Sequence, residues 1–407
     1  MRAVIETALD NNRDLQEAAL NIEAARAQYG ITRFELYPRL QGRTDATLQH
    51  QSDDLTITGF DDNTQTYEAA VSLPAYEIDL FGRLRSLKRS ALEDYLATAE
   101  AQQAAKIALI GETARSYLVW LESAAALGVI ENTLDAQLRS YEIIRQSFEK
   151  GVVSRLDLAR AATAVENARR NLAIYKRRQL QAENALTLLM GGAQINDFLP
   201  DDPPALTDVE FENILPAGLP SDVLLMRPDI RRAEHELLAA NADIGAARAA
   251  FFPSISLSGS YGFASENLDN LFSSAAFGAW SFMPQITIPL FPPGRLNNNL
   301  DLAEVRKEIE VVQYERAIQT AFREVADALA GYETLDEQII AQRALVDATS
   351  DAYRISNARY DVGIDNYLSV LDAQRENFAA ELELVALYQD VLANHVTLYQ
   401  ALGGGQL

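Results

Sequence analysis

Along residues 254–264 the chain alternates without a break. Ile255, Leu257, Gly259, Tyr261 and Phe263 fall on one side, Ser254, Ser256, Ser258, Ser260 and Gly262 on the other. A period of two is that of a strand with one oily and one polar face. Three other segments carry the same code. The first sets Leu40, Gly42, Thr44, Ala46 and Leu48 against Arg39, Gln41, Arg43, Asp45, Thr47 and Gln49. The second sets Tyr67, Ala69, Val71, Leu73 and Ala75 against Thr66, Glu68, Ala70 and Ser72. The last sets Trp280, Phe282, Ile286, Ile288 and Leu290 against Ala279, Ser281, Met283, Gln285 and Thr287. Such alternation fits any half-buried antiparallel sheet. Here the segments reach about ten residues, aromatics fall near their ends and the polar faces could line a wet interior, as in a membrane barrel. Four strands cannot close, and an open edge in lipid leaves backbone groups unsatisfied at several kcal/mol each. Strands that meet lipid therefore require chains to associate. Two copies would supply about 8 strands and three about 12, and because an eight-stranded lumen is filled by side chains, a conducting pore favours three.

The remaining pattern is helical. From about Arg83 to Lys150 there is no proline and only Gly111 and Gly128 interrupt a run rich in Ala, Leu, Glu, Gln and Arg. At 1.5 Å per residue such a run makes a rod of roughly 100 Å. A second run, from about Arg295 to Val362, is broken only by Gly331. Gly151 and Gly363 stand where each rod should stop, as residues able to adopt positive φ and turn the chain back. The last returning helix carries Leu371, Phe378, Val385, Leu392 and Tyr399 at steps of seven, flanked by Val370, Leu384, Val391 and Leu398. A sustained seven-residue period predicts coiled-coil-like packing, or more plainly the core face of a bundle.

The two rods belong to two copies of one unit. "YEIIRQSFEKGVVSRLDLARA" from Tyr141 aligns with "YRISNARYDVGIDNYLSVLDA" from Tyr353 at a constant spacing of 212 residues, and "GRL" at Gly82 meets "GRL" at Gly294. The expected organisation is a first repeat over 1–192 (helix, two strands, long helix, helix), an extended linker over 193–226 and a second repeat over 227–407. Prolines 200, 203, 204, 216, 220 and 228 preclude a regular helix in the linker.

Composition narrows function by exclusion. A net charge of −23 repels nucleic-acid phosphates, so no nucleic-acid partner is expected. Cysteine is absent, which removes disulfides, thiolate zinc sites and a cysteine nucleophile. His50, His235 and His395 lack metal-site spacing, the terminal "GGG" has neither the lysine nor the helix of a phosphate loop, and no nucleophile motif occurs. The expectation is a protein without catalysis, metal or cofactor. No apolar run approaches the ~18 residues of a spanning helix.

Several stretches carry a family resemblance: "RPDIRRAEHELLAANADIGAARAAFFPSISLSGSYG" from Arg227, "ALDNNRDLQEAALNIEAARAQ" from Ala8, "EIDLFGRLRS" from Glu77, "PLFPPGRL" from Pro289 and the terminal "ALGGG". The chain resembles, over essentially its whole length, the outer-membrane efflux proteins of the TolC superfamily, in the OprM/NodT branch. The resemblance implies a mainly α fold with transmembrane β. A homotrimer would form a 12-stranded β-barrel, four strands per chain, in outer-membrane lipid. A long α-helical coiled-coil barrel would continue it into the periplasm. It further implies a passive duct for drugs or other small molecules, fed by an inner-membrane pump of the resistance-nodulation-division (RND) class through a periplasmic adaptor. Metal ions or secreted polypeptides are rival cargos, and a soluble coiled-coil scaffold is the alternative outside the duct class. The family's export signal, lipidated cysteine and N-terminal extended segment are not among these residues, so the chain reads either as trimmed at its start, the favoured reading, or as an unusual member.

The resemblance also assigns a gate to the helix tips. Asp157 and Tyr360 resemble the pair linking inner and outer coiled coils, and Asp372 resembles a member of the acidic ring that narrows the tunnel. Three such carboxylates around an axis would favour cations. Ser369 stands at the second acidic-ring position and Asp365 at the gating-arginine position, two departures from TolC itself. Gly151 and Gly363 mark the turns expected to meet the adaptor.

Overall fold

The computed structural model describes residues 1–50, 63–200, 202–209, 221–273, 277–291 and 293–405. Seven helices and four strands follow one another among the described residues: α1 (Arg2–Asn11), α2 (Arg13–Phe34), β1 (Gln41–His50), β2 (Asn63–Ile78), α3 (Arg83–Glu149), α4 (Arg155–Leu189), α5 (Pro228–Ala249), β3 (Ser254–Ser265), β4 (Phe277–Thr287), α6 (Pro293–Asp361) and α7 (Tyr367–Ala401). The chain is thus mostly helical with one four-stranded sheet. Its contacts divide into two units. One comprises Met1–Leu20, Glu100–Arg231 and Arg316–Leu407, the other Asn21–Ala99 and Arg232–Glu315.

The two rods are single helices of 67 and 69 residues. Pro293 opens α6 at a first-turn position, where its missing N–H has no partner to lose. Pro228 does the same for α5. Between α4 and α5, among the described residues, the chain forms short 3-10 turns at Ile195–Asp197, Leu206–Asp208 and Ser221–Met226. Pro216 and Pro220 of the linker and Pro292 lie outside the described residues.

In the second unit the strands form an antiparallel meander in the order β1-β2-β3-β4. The apolar rows run straight across it, with Val71 opposite Tyr261 and Tyr261 opposite Trp280. The polar rows do likewise, Gln41 facing Ser72, Ser72 facing Ser260 and Ser260 facing Ser281. One expectation fails within β2. Strict alternation puts Ala75 on the apolar face after Leu73, but the register slips between Leu73 and Tyr76, so Tyr76 and Ile78 oppose Leu257 and Ile255 instead. Pro74 supplies the reason: it has no N–H to give to a ladder and tends to sit at a bulge, where one extra residue flips the phase. Ile288 and Leu290 likewise fall beyond β4, which ends at Thr287.

In the first unit the largest core joins α1, α3, α4 and α7 through Val4, Leu118, Trp120, Leu121, Leu186 and Leu392. Trp120 donates to Glu183 at 3.2 Å, which satisfies its indole in an apolar setting. The seven-step stripe of α7 is only half-buried at Leu371, Phe378 and Val385. The fully buried residues of that helix include Val370, Ala373, Ala380, Leu387 and Leu398. Leu392 of the stripe is buried in the core as well, so the stripe faces the core over part of its length and Ala373, Ala380 and Leu387 extend the buried face beside it.

Candidate functional site

Two regions have the chemistry of a conduit. The first is the sheet. Its strands have 10, 16, 12 and 11 residues. At a tilt near 45°, 11–12 residues cover about 25 Å, the height of a membrane barrel's apolar band. One face leaves Tyr261 73% exposed, Trp280 74% and Phe282 62%, with Val71 and Ile286 beside them. A contiguous apolar surface of this kind on a water-soluble protein would be an aggregation hazard, so it calls for a partner or for lipid. The opposite face is hydroxylic: Ser260 and Ser281 share a hydrogen bond at 2.8 Å and Ser258 donates to the Met283 carbonyl at 3.3 Å. Among the described residues β1 and β4 each have a neighbour on one side only, which leaves two ladder edges open. Among the described residues no helix is long and apolar enough to cross a membrane.

The second region is the pair of helix tips, in the first unit. Gly151 has φ +72° and Gly363 φ +76°, left-handed values open to glycine. In each turn the residue after the glycine donates back to the helix: Val152 N–H to Ser147 and Ile364 N–H to Arg359, both at 2.9 Å. These are the bonds that end a helix in a Schellman-type turn. Ser154 then starts α4 with a capping box. Its hydroxyl accepts from the Asp157 N–H at 3.2 Å, while the Asp157 carboxylate accepts from the Ser154 N–H and hydroxyl at 3.3 and 2.7 Å. Asn366 caps α7 through the Ser369 N–H at 3.1 Å.

The residues singled out by sequence take the following places. Asp157 is engaged by the cap, with Arg160 at 3.9 Å. Tyr360 packs in a cluster with Ile144, Ala161, Val370 and Tyr367, its ring 5.5 Å from that of Tyr367. Its hydroxyl titrates above the usual phenol range, first because it is buried and then because the negative charges of Asp157 and Asp361 oppose ionisation. Asp157 and Tyr360 are therefore close enough to feel each other, although among the described residues no hydrogen bond joins them. Asp372 pairs with Arg375 at 3.2 Å. Ser369 serves as the capped N–H of α7 and also donates its hydroxyl to Asn366 at 3.3 Å.

Asp365 is held by Arg359 through two bonds of 2.6 and 3.2 Å. The guanidinium keeps that carboxyl below its ordinary range. The pairing therefore contributes fully above the ordinary aspartate range and is lost as pH falls through the lowered value.

Two features escaped sequence reasoning. Burial pushes the Tyr367 hydroxyl up to about 12, Tyr360 and Tyr353 adding to the effect and the Ser140 hydroxyl opposing it. The tyrosines at 353, 360 and 367 are spaced by seven, a signal that points to one cluster. The other is Arg227. Its guanidinium, 7% exposed, donates to Asp229 at 2.8 and 3.0 Å, to Glu324 at 2.7 Å and to the Ala401 carbonyl at 2.7 Å. It thereby ties the start of α5 to α6 and to the end of α7. Burial alone would lower its pKa, but Asp229 and Glu324 more than reverse that.

The comparisons agree with this geometry. The family model "Outer membrane efflux protein" matches residues 4–192 and 219–404. The toluene efflux pump outer membrane protein TtgF of Pseudomonas putida is 49% identical over 407 residues, covering 100% of this chain and 83% of its own. A crystal structure of a membrane protein from Pseudomonas aeruginosa superposes with a TM-score of 0.94 at 42% identity, over 99% of this chain and 90% of that one. The open state of the MtrE outer membrane channel of Neisseria gonorrhoeae does so with a TM-score of 0.87 at 38% identity, over 99% and 88%. The chain belongs to the outer membrane efflux protein family.

Proposed function

We propose that this chain is the outer-membrane channel of a tripartite efflux system. Three copies would each contribute four strands to a 12-stranded barrel, continued by an α-helical tunnel into the periplasm. The observation that carries this reading is a sheet with an oily face, a hydroxylic face and two open edges. Within lipid those edges are tolerable only if other copies pair with them. The duct is passive, and its family is one of channels rather than enzymes. Cargo would reach it from an inner-membrane RND pump through a periplasmic adaptor that meets the turns at Gly151 and Gly363. The relatives' names, which include toluene and antibiotic efflux pumps, support drugs, solvents or other small apolar molecules as cargo. The repeats over 1–192 and 227–407, with the linker between them, are the unit of this architecture.

The gate in this reading lies at the tips. Asp157 and Tyr360 couple α4 to α6, Asp365 is pinned by Arg359 and Asp372 narrows the passage with its copies, while Ser369 leaves the second ring position uncharged. Planar-bilayer recording of the purified protein tests it. Losing a contact worth about 1 kcal/mol changes a two-state population about fivefold. Tyr360→Ala or Asp157→Ala should therefore raise the open fraction several-fold over a low basal conductance. Ser154→Ala removes the cap alone and should do less. Conductance that is unchanged in the first two variants removes these residues from the gate, and the absence of any channel from the wild-type protein removes the duct.

A further inference from the structure

Within the first unit, α3, α4 and α7 line an open groove with a volume of about 610 Å³. That is the size of a site for a drug-sized molecule. Its two ends differ. Leu156, Leu368 and Leu371 line one, while Arg170, Asn167 and Asn171 line the other. At 1.5 Å per residue the fifteen positions from Leu156 to Asn171 separate these ends by roughly 20 Å. The groove also runs against the charge of the molecule. In a chain with a net charge of −23 its walls hold Arg160, Arg170 and Arg375 against Asp372 alone.

Those cations are not equally spent. Arg375 lies 3.2 Å from Asp372, and Arg160 reaches Asp157 only at 3.9 Å. Glu166, one turn before Arg170, is taken by Arg169 at 2.8 Å, and among the described residues no ion pair forms on Arg170 itself. A second, independent observation comes from α3. Gln137, on the wall beside the polar end, is 8% exposed, and its Oε1 is buried without a hydrogen-bond partner. The Gln137 amide can offer this acceptor to the groove by turning its end outward, where a ligand N–H or O–H would supply the missing hydrogen bond.

We infer that this groove binds an amphiphilic organic anion: a carboxylate paired with Arg170, an N–H donor beside it for Gln137, and an apolar tail laid along Leu371 toward Leu156. An N-acylated amino acid has those parts in that order. The ligand bridges α4 and α7, so both helices contribute to its affinity. No bond is made or broken.

N-octanoylglycine tests the assignment, titrated into the full-length assembled protein in nanodiscs and followed by ligand-observed NMR against empty nanodiscs. A ligand of this size should show saturable binding with a dissociation constant of about 1 mM or tighter. N-octanoylglycinamide, which lacks the charge, and decanoate, which lacks the N–H, should each bind more weakly. Arg170→Ala should weaken the acid about threefold or more, the effect of a solvent-exposed cation, and leave the neutral amide unchanged. Gln137→Leu should abolish the preference over decanoate. Thr163→Trp, a bulky change at an exposed position on the groove wall, should block all three ligands while leaving the thermal transition in place. No saturable binding to the wild-type protein, equal binding of the three ligands, or affinity untouched by Arg170→Ala and Thr163→Trp would each overturn the inference. Channel conductance plays no part in this measurement, so its outcome is separate from that of the duct reading.

Discussion

Replacing Gly262 with alanine is expected to reduce the assembled outer-membrane form of the protein to below about a tenth of wild type. A Cβ at this position would lie 2.1 Å from the Ala69 carbonyl oxygen and 2.4 Å from the Ala70 Cα on β2. Both atoms belong to backbone, so no side chain can swing aside. The relief available is to part β2 from β3, where Gly262 faces Ala70 across the ladder. Parting strands in water costs about 1 kcal/mol per hydrogen bond lost. In the hydrocarbon layer each unsatisfied group costs several. The yield of protein in outer-membrane fractions, read as the heat-modifiable oligomer on gels, measures the effect. Gly278→Ala provides the control, since nothing lies within 4 Å of its added carbon. Equal yields for the two variants would show that the close approach of β2 and β3 is not required.

The second large effect is expected at Arg227. Changing it to methionine preserves length and apolar bulk but deletes four donated bonds at once, leaving Asp229, Glu324 and the Ala401 carbonyl to find water or remain unpaired. Removing one partner of a fully buried ion pair costs about 3–5 kcal/mol. The two carboxylates here are 38% and 37% exposed, so solvent reclaims part of that. A loss of about 2–4 kcal/mol is expected, seen as a lower midpoint of thermal or denaturant unfolding. Arg231, whose pairing with Glu100 at 3.1 Å is itself 40% exposed on the arginine side, should cost under about 1 kcal/mol on the same substitution. Similar losses at the two positions would mean that Arg227 is an ordinary surface pair rather than the tie among three helices.

The contrast between those residues explains what could be read from sequence. The rod expected from Arg83 to Lys150 is a helix over Arg83–Glu149, because propensity acts locally and a glycine at the end marks the stop. The serine and oily rows of β3 were equally plain, since a period of two is a property of neighbours. What the pattern concealed depends on residues far apart in the chain. Arg227 meets Ala401 across 174 positions, and nothing in "RPD" announces that. Around Pro74 the alternation is regular enough to hide the one-residue slip between Leu73 and Tyr76. On α7 the seven-step stripe is real and its Leu392 lies in the core, but Leu371, Phe378 and Val385 are only half-buried beside the buried Ala373 and Ala380, a difference the repeat alone does not carry. At the tips, the turn glycines were legible by their position, whereas the pairing of Arg359 with Asp365 spans the turn and needed the folded geometry.

The central claim is that one chain makes an incomplete barrel, closed by two more copies pairing at the edges of β1 and β4. Native mass spectrometry of the detergent-extracted protein tests it most directly. A single species at three times the 44.9 kDa chain mass is predicted. A stable monomer that keeps its sheet with both edges unpaired, or a closed assembly of two, would contradict it.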